Sequence, residues 1–253
     1  MSDNYGSFCD DFYLDMYVNT ELDVPMQRDT VLAFFERVQK QFPSMCSFYR
    51  RQSNQYYLEE SGDTAQHRWI SFEADRIGSG VVNPSGFEDA YKQHRFILEI
   101  IPYMLGINHL DIDSLDVVFA MDFDCAGSHD EVIAEALFGS TAFNCLLDLP
   151  QARAIGFSPS MVVGLSDDCC TQARISVESK TSIYDPFEKG SVTDDEAISL
   201  SFTIRQYPSG KEKFDSLKSF ENQRKLAEEL MAEKIIPNFA QPLINVIAQR
   251  RLT

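Results

Sequence analysis

The chain has 253 residues, 44% of them hydrophobic, and a formal net charge of −17. It is long enough to bury a sizeable core, whereas its charge argues against direct nucleic acid binding, which needs clustered Lys and Arg. No apolar run approaches the roughly 18 residues of a membrane span, so we expect a cytoplasmic protein without direct membrane contact.

The chemistry-bearing residues form no familiar catalytic pattern. The six cysteines follow neither a disulfide framework nor a zinc-site spacing. A nucleophile elbow, a phosphate-binding loop and a dinucleotide fingerprint are all missing from the sequence. The sequence therefore predicts no cofactor and no recognisable catalytic centre.

The first predicted unit spans residues 11–107, after an N-terminal tail at 1–10. Apolar and polar residues alternate over residues 13–23, the period of a strand with one buried face. A helix that Asp29 caps follows. Four short strands and a helix at about 86–105 then complete a β-α-β-β-β-β-α order.

The second predicted unit spans residues 112–253 and repeats that order, with insertions and a long C-terminal helix. A strand at 115–124 leads into a helix that Ser128 opens with a capping box. A polar insertion covers 181–196, and a long helix ends near Arg251. Strands are expected near residues 154–157, 161–165, 173–179 and 198–207.

Matching sequence blocks predict that the two units are copies of one ancestor. Residues 14–33 align without gaps to residues 115–134 at an offset of 101, with six identities that include Asp15 with Asp116. Three more blocks keep the same order at growing offsets: 70–73 with 175–178, 84–86 with 208–210, and 100–102 with 235–237. On this alignment Ile70 and Ile175 occupy equivalent core positions.

This duplicated order resembles the TATA-binding-protein-like fold, in which two units join into one saddle-shaped antiparallel sheet with helices on one face. The resemblance is one of element order. It implies an α+β fold and carries no function.

One face of such a sheet stays open, and alternation assigns side chains to it. Met16, Val18 and Leu22 are expected to contact the helices, which places their neighbours on the open face. The candidate ligand- or partner-binding residues are Tyr17, Glu21, Trp69, Glu73, Asp122, Arg174 and Glu178. An ordinary solvated sheet face shows the same alternation and is the alternative interpretation.

A metal site is a second possibility at the end of the 115–124 strand. Asp122 and Asp124 are carboxylates two apart before a helix, a pattern that can bind Mg²⁺ or Ca²⁺. Glu21 and Asp23 occupy the matching place in the first unit, which favours turn and capping chemistry instead.

The leading functional hypothesis is a non-enzymatic binding or protein-interaction module that uses an open acidic and aromatic sheet face. One alternative is a metal-dependent enzyme built on paired carboxylates. Another is an acidic decoy that mimics nucleic acid. The apolar excess at 235–251 further predicts a homodimer.

Overall fold

A computed structural model describes residues 5–51, 55–61, 65–179, 197–210 and 213–251. The polar insertion predicted at 181–196 lies outside the described residues. The strands are β1 (Asp11–Thr20), β2 (Met45–Arg51), β3 (Gln55–Glu60), β4 (His67–Glu73), β5 (Arg76–Val82), β6 (Ile112–Phe123), β7 (Ser160–Gly164), β8 (Thr171–Ser179) and β9 (Ile198–Gln206). The helices are α1 (Arg28–Gln41), α2 (Phe87–Leu105), α3 (His129–Phe138), α4 (Asn144–Leu147), α5 (Ser216–Leu230) and α6 (Gln241–Arg251), with a π-helical segment (Met231–Ala240) that joins α5 to α6.

The strands form one antiparallel sheet in the order β2-β3-β4-β5-β1-β6-β9-β8-β7. Strands β1 and β6 therefore lie at the centre, and β2 and β7 at the two edges. The prediction of an α+β chain with a large antiparallel sheet is confirmed.

The core lies between one face of this sheet and the helices. Alternate residues of β1, among them Leu14 and Met16, are fully buried on that face because the strand period of two sends every second side chain to the same side. Helix α1 packs there through Phe34 and Phe35, whose rings lie 4.8 and 5.0 Å from the ring of Phe72 in β4.

The strand predicted at 154–157 is wrong. The backbone there is irregular. Among the described residues, the second unit therefore has three strands after β6, whereas the first unit has four strands after β1. The backbone N–H of Phe157 donates to Asp130 Oδ1 (2.7 Å), and the Phe157 ring packs against Phe138 at 4.6 Å. These contacts hold residue 157 against α3 and away from the sheet.

The predicted helix caps are half correct. The Ser128 hydroxyl accepts a hydrogen bond from the Glu131 backbone N–H (3.3 Å), which confirms the cap of α3. Asp29 does not cap α1, whose N-cap is Gln27. It lies in the first turn, where its negative charge still favours the positive end of the helix dipole.

Leu22 is not a core residue, contrary to the prediction. β1 ends at Thr20, so the strand alternation stops before Leu22, whose side chain is 67% exposed. Val24, two residues further, is buried instead.

Both ends of the described chain pack against the core. Tyr5, in the predicted N-terminal tail, is buried and lies 5.3 Å from the Phe87 ring. Leu243 and Ile247 of α6 are buried within the chain, where α6 contacts α3. The apolar residues that prompted the homodimer prediction are thus largely covered intramolecularly.

Within the described ranges, no helix combines the length and the apolar character needed to cross a lipid bilayer.

Candidate ligand-binding groove

The open face of the sheet carries a groove of about 510 Å³, here called the central groove. Its floor includes Val118 and Ala120 of β6, and Val162 of β7 also lines it. Charged and aromatic side chains surround that floor: Asp15, Tyr17, Arg76, Asp116, Arg174 and Arg205. A smaller depression of about 270 Å³ adjoins it and shares Arg174, Ser201 and Thr203.

The register of the central strands determines which groups meet in the groove. Tyr17 of β1 lies opposite Asp116 of β6, and Asp116 lies opposite Arg205 of β9. Asp15 lies between Gly80 of β5 and Val118 of β6. Side chains two apart on each strand therefore share one solvent-facing surface.

Arg205 and Asp116 form a bidentate ion pair. Arg205 Nε and Nη2 donate to the two carboxylate oxygens at 2.7 and 2.6 Å, and the Asn19 amide donates to the same carboxylate at 3.2 Å. The hydrogen bonds to Asp116 raise the pKa of Arg205, which stays charged. The buried carboxylate is thereby compensated.

Arg76 is also paired with a carboxylate, but through one nitrogen only. Its Nη2 donates to both carboxylate oxygens of Glu73 at 2.9 and 2.7 Å, and its guanidinium lies 4.7 Å from the centre of the Tyr17 ring. Neither Arg76 nor Arg205 therefore contributes a free positive charge to the groove.

Two glycines of β5 make room for the only tryptophan of the chain, Trp69. A Cβ at position 80 would collide with the Trp69 indole and with Asp15 Oδ1, and one at position 78 would lie 2.8 Å from the Trp69 ring. The indole consequently lies against the backbone of β5, with its ring centre 6.0 Å from that of Tyr17.

Among the described residues of the groove, Asp15 is the one carboxyl that has no cation beside it. Its side chain lines the groove but is only 8% exposed, and its Oδ1 has no hydrogen-bond partner among the described residues. Burial raises the pKa of Asp15 to about 8, against the opposing effect of a hydrogen bond with Tyr17. The carboxyl is therefore mostly protonated at neutral pH and can donate a hydrogen bond.

Arg174 of β8 is the one groove arginine without a carboxylate in the part of the chain that the structure describes. It is exposed and lies opposite Thr203 of β9 and Val162 of β7. Hydroxyl groups of Ser201 and Thr203 lie beside it in both depressions.

The structure brings some of the sequence-predicted site residues together. Tyr17 and Arg174 line the central groove, and Trp69 and Glu73 lie at its first-unit end through their contacts with Tyr17 and Arg76. Glu178 lines the smaller depression and not the central groove. Glu21 follows the end of β1, where its backbone N–H donates to Asp111 O (2.8 Å), outside both depressions.

Asp122 and Asp124 lie in different environments. The buried Asp122 carboxylate accepts hydrogen bonds from the Tyr13 hydroxyl (3.0 Å) and from Ser199, whereas Asp124 is exposed. Within the described residues, no group of three or more His, Cys, Asp or Glu side chains is arranged to hold a metal ion.

Sequence reasoning missed Arg76 and Arg205 as site residues, and it did not distinguish Asp15 from its acidic neighbours. Arg205 had a signal, because Ser199, Ser201, Thr203 and Arg205 alternate with apolar residues along β9. The Gly78-Ser79-Gly80 pattern was a second signal in the sequence, because two glycines on one face of a strand indicate that another group packs closely against the backbone.

No protein-family model and no curated protein matches the chain. One solved structure with detectable similarity is the crystal structure of the di-domain ARO/CYC StfQ from the steffimycin biosynthetic pathway. It is 11% identical, over 94% of this chain and 99% of that chain, with a TM-score of 0.23. A similarity at that TM-score carries no argument about activity, so the groove itself is the basis for the function proposed below.

Proposed function

We propose that the chain is a non-enzymatic binding module that holds a small organic ligand in the central groove. The observation that carries this proposal is Asp15, a buried carboxyl that lines the groove and whose unpartnered Oδ1 lies beside Gly80 and the Trp69 indole. An unpartnered buried polar atom is costly in a folded protein, and a ligand that hydrogen-bonds to it would remove that cost.

The composition of the groove supports binding over catalysis. About 510 Å³ is within the usual range for small-molecule sites, and the groove combines apolar residues of β6 with polar side chains around them. Among the described residues that line it, none is His or Cys. The carboxylates of Glu73 and Asp116 are each bound by an arginine, which leaves neither free as a general base.

Nuclear magnetic resonance can test this proposal, because Trp69 gives the only indole N–H signal of the chain. We would screen a fragment library of organic acids, alcohols, amides and amines against the ¹⁵N-labelled protein. Groove binders should shift the Trp69 indole signal and the backbone signals of Val118 and Ala120.

A filled groove provides the matched comparison. Ala120→Phe places a ring on the groove floor, and Ala33→Phe places the same ring on the exposed side of α1. Hits should be lost in the first variant and kept in the second. Hits that bind both variants equally, or a library that leaves Trp69 and β6 unperturbed, would reject the proposal.

We also propose that residues 11–107 and 112–253 arose by duplication. The order of strands supports it, since β5, β4 and β3 follow β1 outward on one side as β9, β8 and β7 follow β6 on the other. Two buried glutamines support it further. Gln93 of α2 donates to the Gly80 carbonyl (3.1 Å), and Gln223 of α5 donates to the Ile204 carbonyl (2.8 Å), so each pins its helix to the next strand outward.

The ladder corrects one detail of the sequence alignment. In the first unit, Met16 pairs with Ser79 and Ser79 pairs with Ile70. In the second unit, Val117 pairs with Ile204 and Ile204 pairs with Ala173. The register thus relates Ile70 to Ala173. Ile175 lies two residues further on the same face of the sheet.

A further inference from the structure

We propose that the central groove takes an amphipathic monocarboxylate, with its carboxylate bound by Arg174 and a hydrogen-bond acceptor at its other end bound by Asp15. This inference rests on the proposed binding function and adds the chemical class of the ligand.

The charges of the groove lead to an anionic group at one end. Arg76 is paired with Glu73 through Nη2 and Arg205 with Asp116 through Nε and Nη2, whereas Arg174 has no ion pair among the described residues. A guanidinium beside the Thr203 hydroxyl, with no carboxylate of its own, matches the two oxygens of a carboxylate.

The net charge of the chain restricts that anion to a single charge. At −17 the protein repels anions at long range, and within the described part of the chain one groove arginine, Arg174, has no carboxylate partner. Glu178 lies two residues from Arg174 on the same face of β8 and lines the adjoining depression. A dianion such as a phosphate monoester would meet more repulsion than a carboxylate does.

The strand register gives the separation of the two anchoring residues and the character of the surface between them. Arg174, Thr203, Val118 and Asp15 form one row across β8, β9, β6 and β1. Three strand spacings separate its ends, about 14 Å between backbones. Val118 lies in that row next to Asp15, and Ala120 lies two residues further along β6, so the part of the ligand that lies over β6 is apolar.

The ligand group that lies next to Asp15 should be a hydrogen-bond acceptor. Its carboxyl is protonated at neutral pH because burial raises the pKa to about 8, and a protonated carboxyl donates a hydrogen bond. A ketone or ether oxygen on the ligand accepts that hydrogen bond and gives the buried group a partner.

Calorimetric titration with simple probes tests both ends. The acid probe is 4-benzoylbutyrate, which carries a carboxylate and a ketone. Its amide lacks the charge, 5-phenylpentanoate lacks the ketone, and phenyl phosphate is the dianion. The Trp69 emission of the same samples reports whether each probe binds at the groove.

Arg174→Gln and Arg28→Gln make the matched pair for the charged end, because Arg28 is an exposed arginine on α1. We expect the acid to bind about tenfold more tightly than its amide. That preference should disappear in Arg174→Gln and persist in Arg28→Gln. Phenyl phosphate should bind more weakly than the acid.

Asp15→Asn tests the other end and keeps a donor at the position. At pH 6 the ketone probe should bind more tightly than 5-phenylpentanoate in the wild-type protein. At pH 9.5 the wild-type protein should lose this preference as Asp15 ionises, and Asp15→Asn should keep it. Circular dichroism confirms that both proteins stay folded at each pH.

Equal binding of acid and amide at the groove would overturn the inference and leave the proposed binding function standing. Tighter binding of phenyl phosphate, or no binding of the acid at 10 mM, would also overturn it. Failure of the proposed function itself is read separately, from the fragment screen with Ala120→Phe and Ala33→Phe.

Discussion

Met16 of β1 and Val117 of β6 lie opposite each other in the central strand pair, and they are also 101 residues apart in the chain. The same offset aligns residues 14–33 with residues 115–134. A twofold axis between these two residues would exchange β1 and β6 and leave their ladder unchanged. It would relate the pair of Tyr17 with Asp116 to the pair of Val118 with Asp15, as expected if the units are copies.

The central ladder leads to the first prediction. We expect fragments 1–107 and 108–253, when co-expressed, to assemble into a 1:1 complex, because β1 and β6 bury Leu14, Met16 and Val117 beside their shared hydrogen bonds. Light scattering measures the complex. Fragment 1–107 alone should lack a cooperative thermal transition, and a stable monomeric fragment would contradict the prediction.

Asp15 should destabilise the protein at neutral pH. Its folded pKa of about 8 is raised above 3.8, so between these values the unfolded chain releases the proton first and rising pH favours unfolding. Asp15→Asn removes this penalty. We expect it to increase the free energy of unfolding by up to about 4 kcal/mol at pH 7, and by almost nothing at pH 4, at 1.36 kcal/mol per pH unit.

Urea denaturation at pH 4, 5.5, 7 and 8.5 measures this dependence. Asp29→Asn, an exposed carboxylate on α1, is the control, and its effect on stability should stay small at all four values. A gain for Asp15→Asn that does not grow with pH would show that Asp15 ionises normally in the folded protein.

Trp69 should report the ionisation of Asp15 directly. The indole lies over Gly80 next to the carboxyl, so a charge that appears there changes the field at the ring. We expect the Trp69 emission to titrate with a midpoint near pH 8. Asp15→Asn should flatten that titration between pH 6 and 10, and an unchanged midpoint in this variant would assign it to another group.

Alternation along single strands predicted most of the fold, since strand and helix periods are local properties. It placed Tyr17 and Arg174 on the open face and gave the elements of the first unit in their observed order. It failed where one long-range contact decides the structure. Residues 154–157 read as a strand, but Asp130 and Phe138 hold Phe157 against α3.

The chemistry of the groove depends on pairing across strands, which single-strand patterns do not contain. Asp15 and Asp116 are matched residues of the two sequence blocks, yet Arg205 reaches only Asp116. One carboxylate is therefore bound in a salt bridge and the other is buried without a cation. The sequence predicted an acidic surface because it could not assign a partner to each carboxylate.

Gly80 should be intolerant of any side chain. A Cβ there would collide with Trp69 and Asp15, whereas a Cβ at Gly86, with φ −174°, meets nothing within 4 Å. We expect Gly80→Ala to lower the free energy of unfolding by about 1–3 kcal/mol and to shift the Trp69 emission to longer wavelength. Gly86→Ala should leave the emission unchanged, and equal spectra for both variants would show that the indole does not lie on β5.

The ion pair of Arg205 with Asp116 should be strongly coupled. Asp116 is 5% exposed, so removal of its partner leaves a buried carboxylate that retains the weaker hydrogen bond from Asn19. We expect Arg205→Met to cost about 2–3 kcal/mol, below the range for fully buried pairs because the Arg205 side chain is 38% exposed. Asp116→Asn in the Arg205→Met background should recover more than half of that loss, since a neutral amide is cheaper to bury.

A double-mutant cycle measured by urea denaturation at pH 7 gives the coupling energy, which should exceed about 1 kcal/mol. Arg28→Met is the control for loss of one exposed arginine and should change stability by less than about 0.5 kcal/mol. If the effects of Arg205→Met and Asp116→Asn are additive, the pair contributes little to stability, and Arg205 is then free to bind an anion. In that case the assignment of the ligand carboxylate to Arg174 alone fails as well, because the groove would hold two available guanidinium groups.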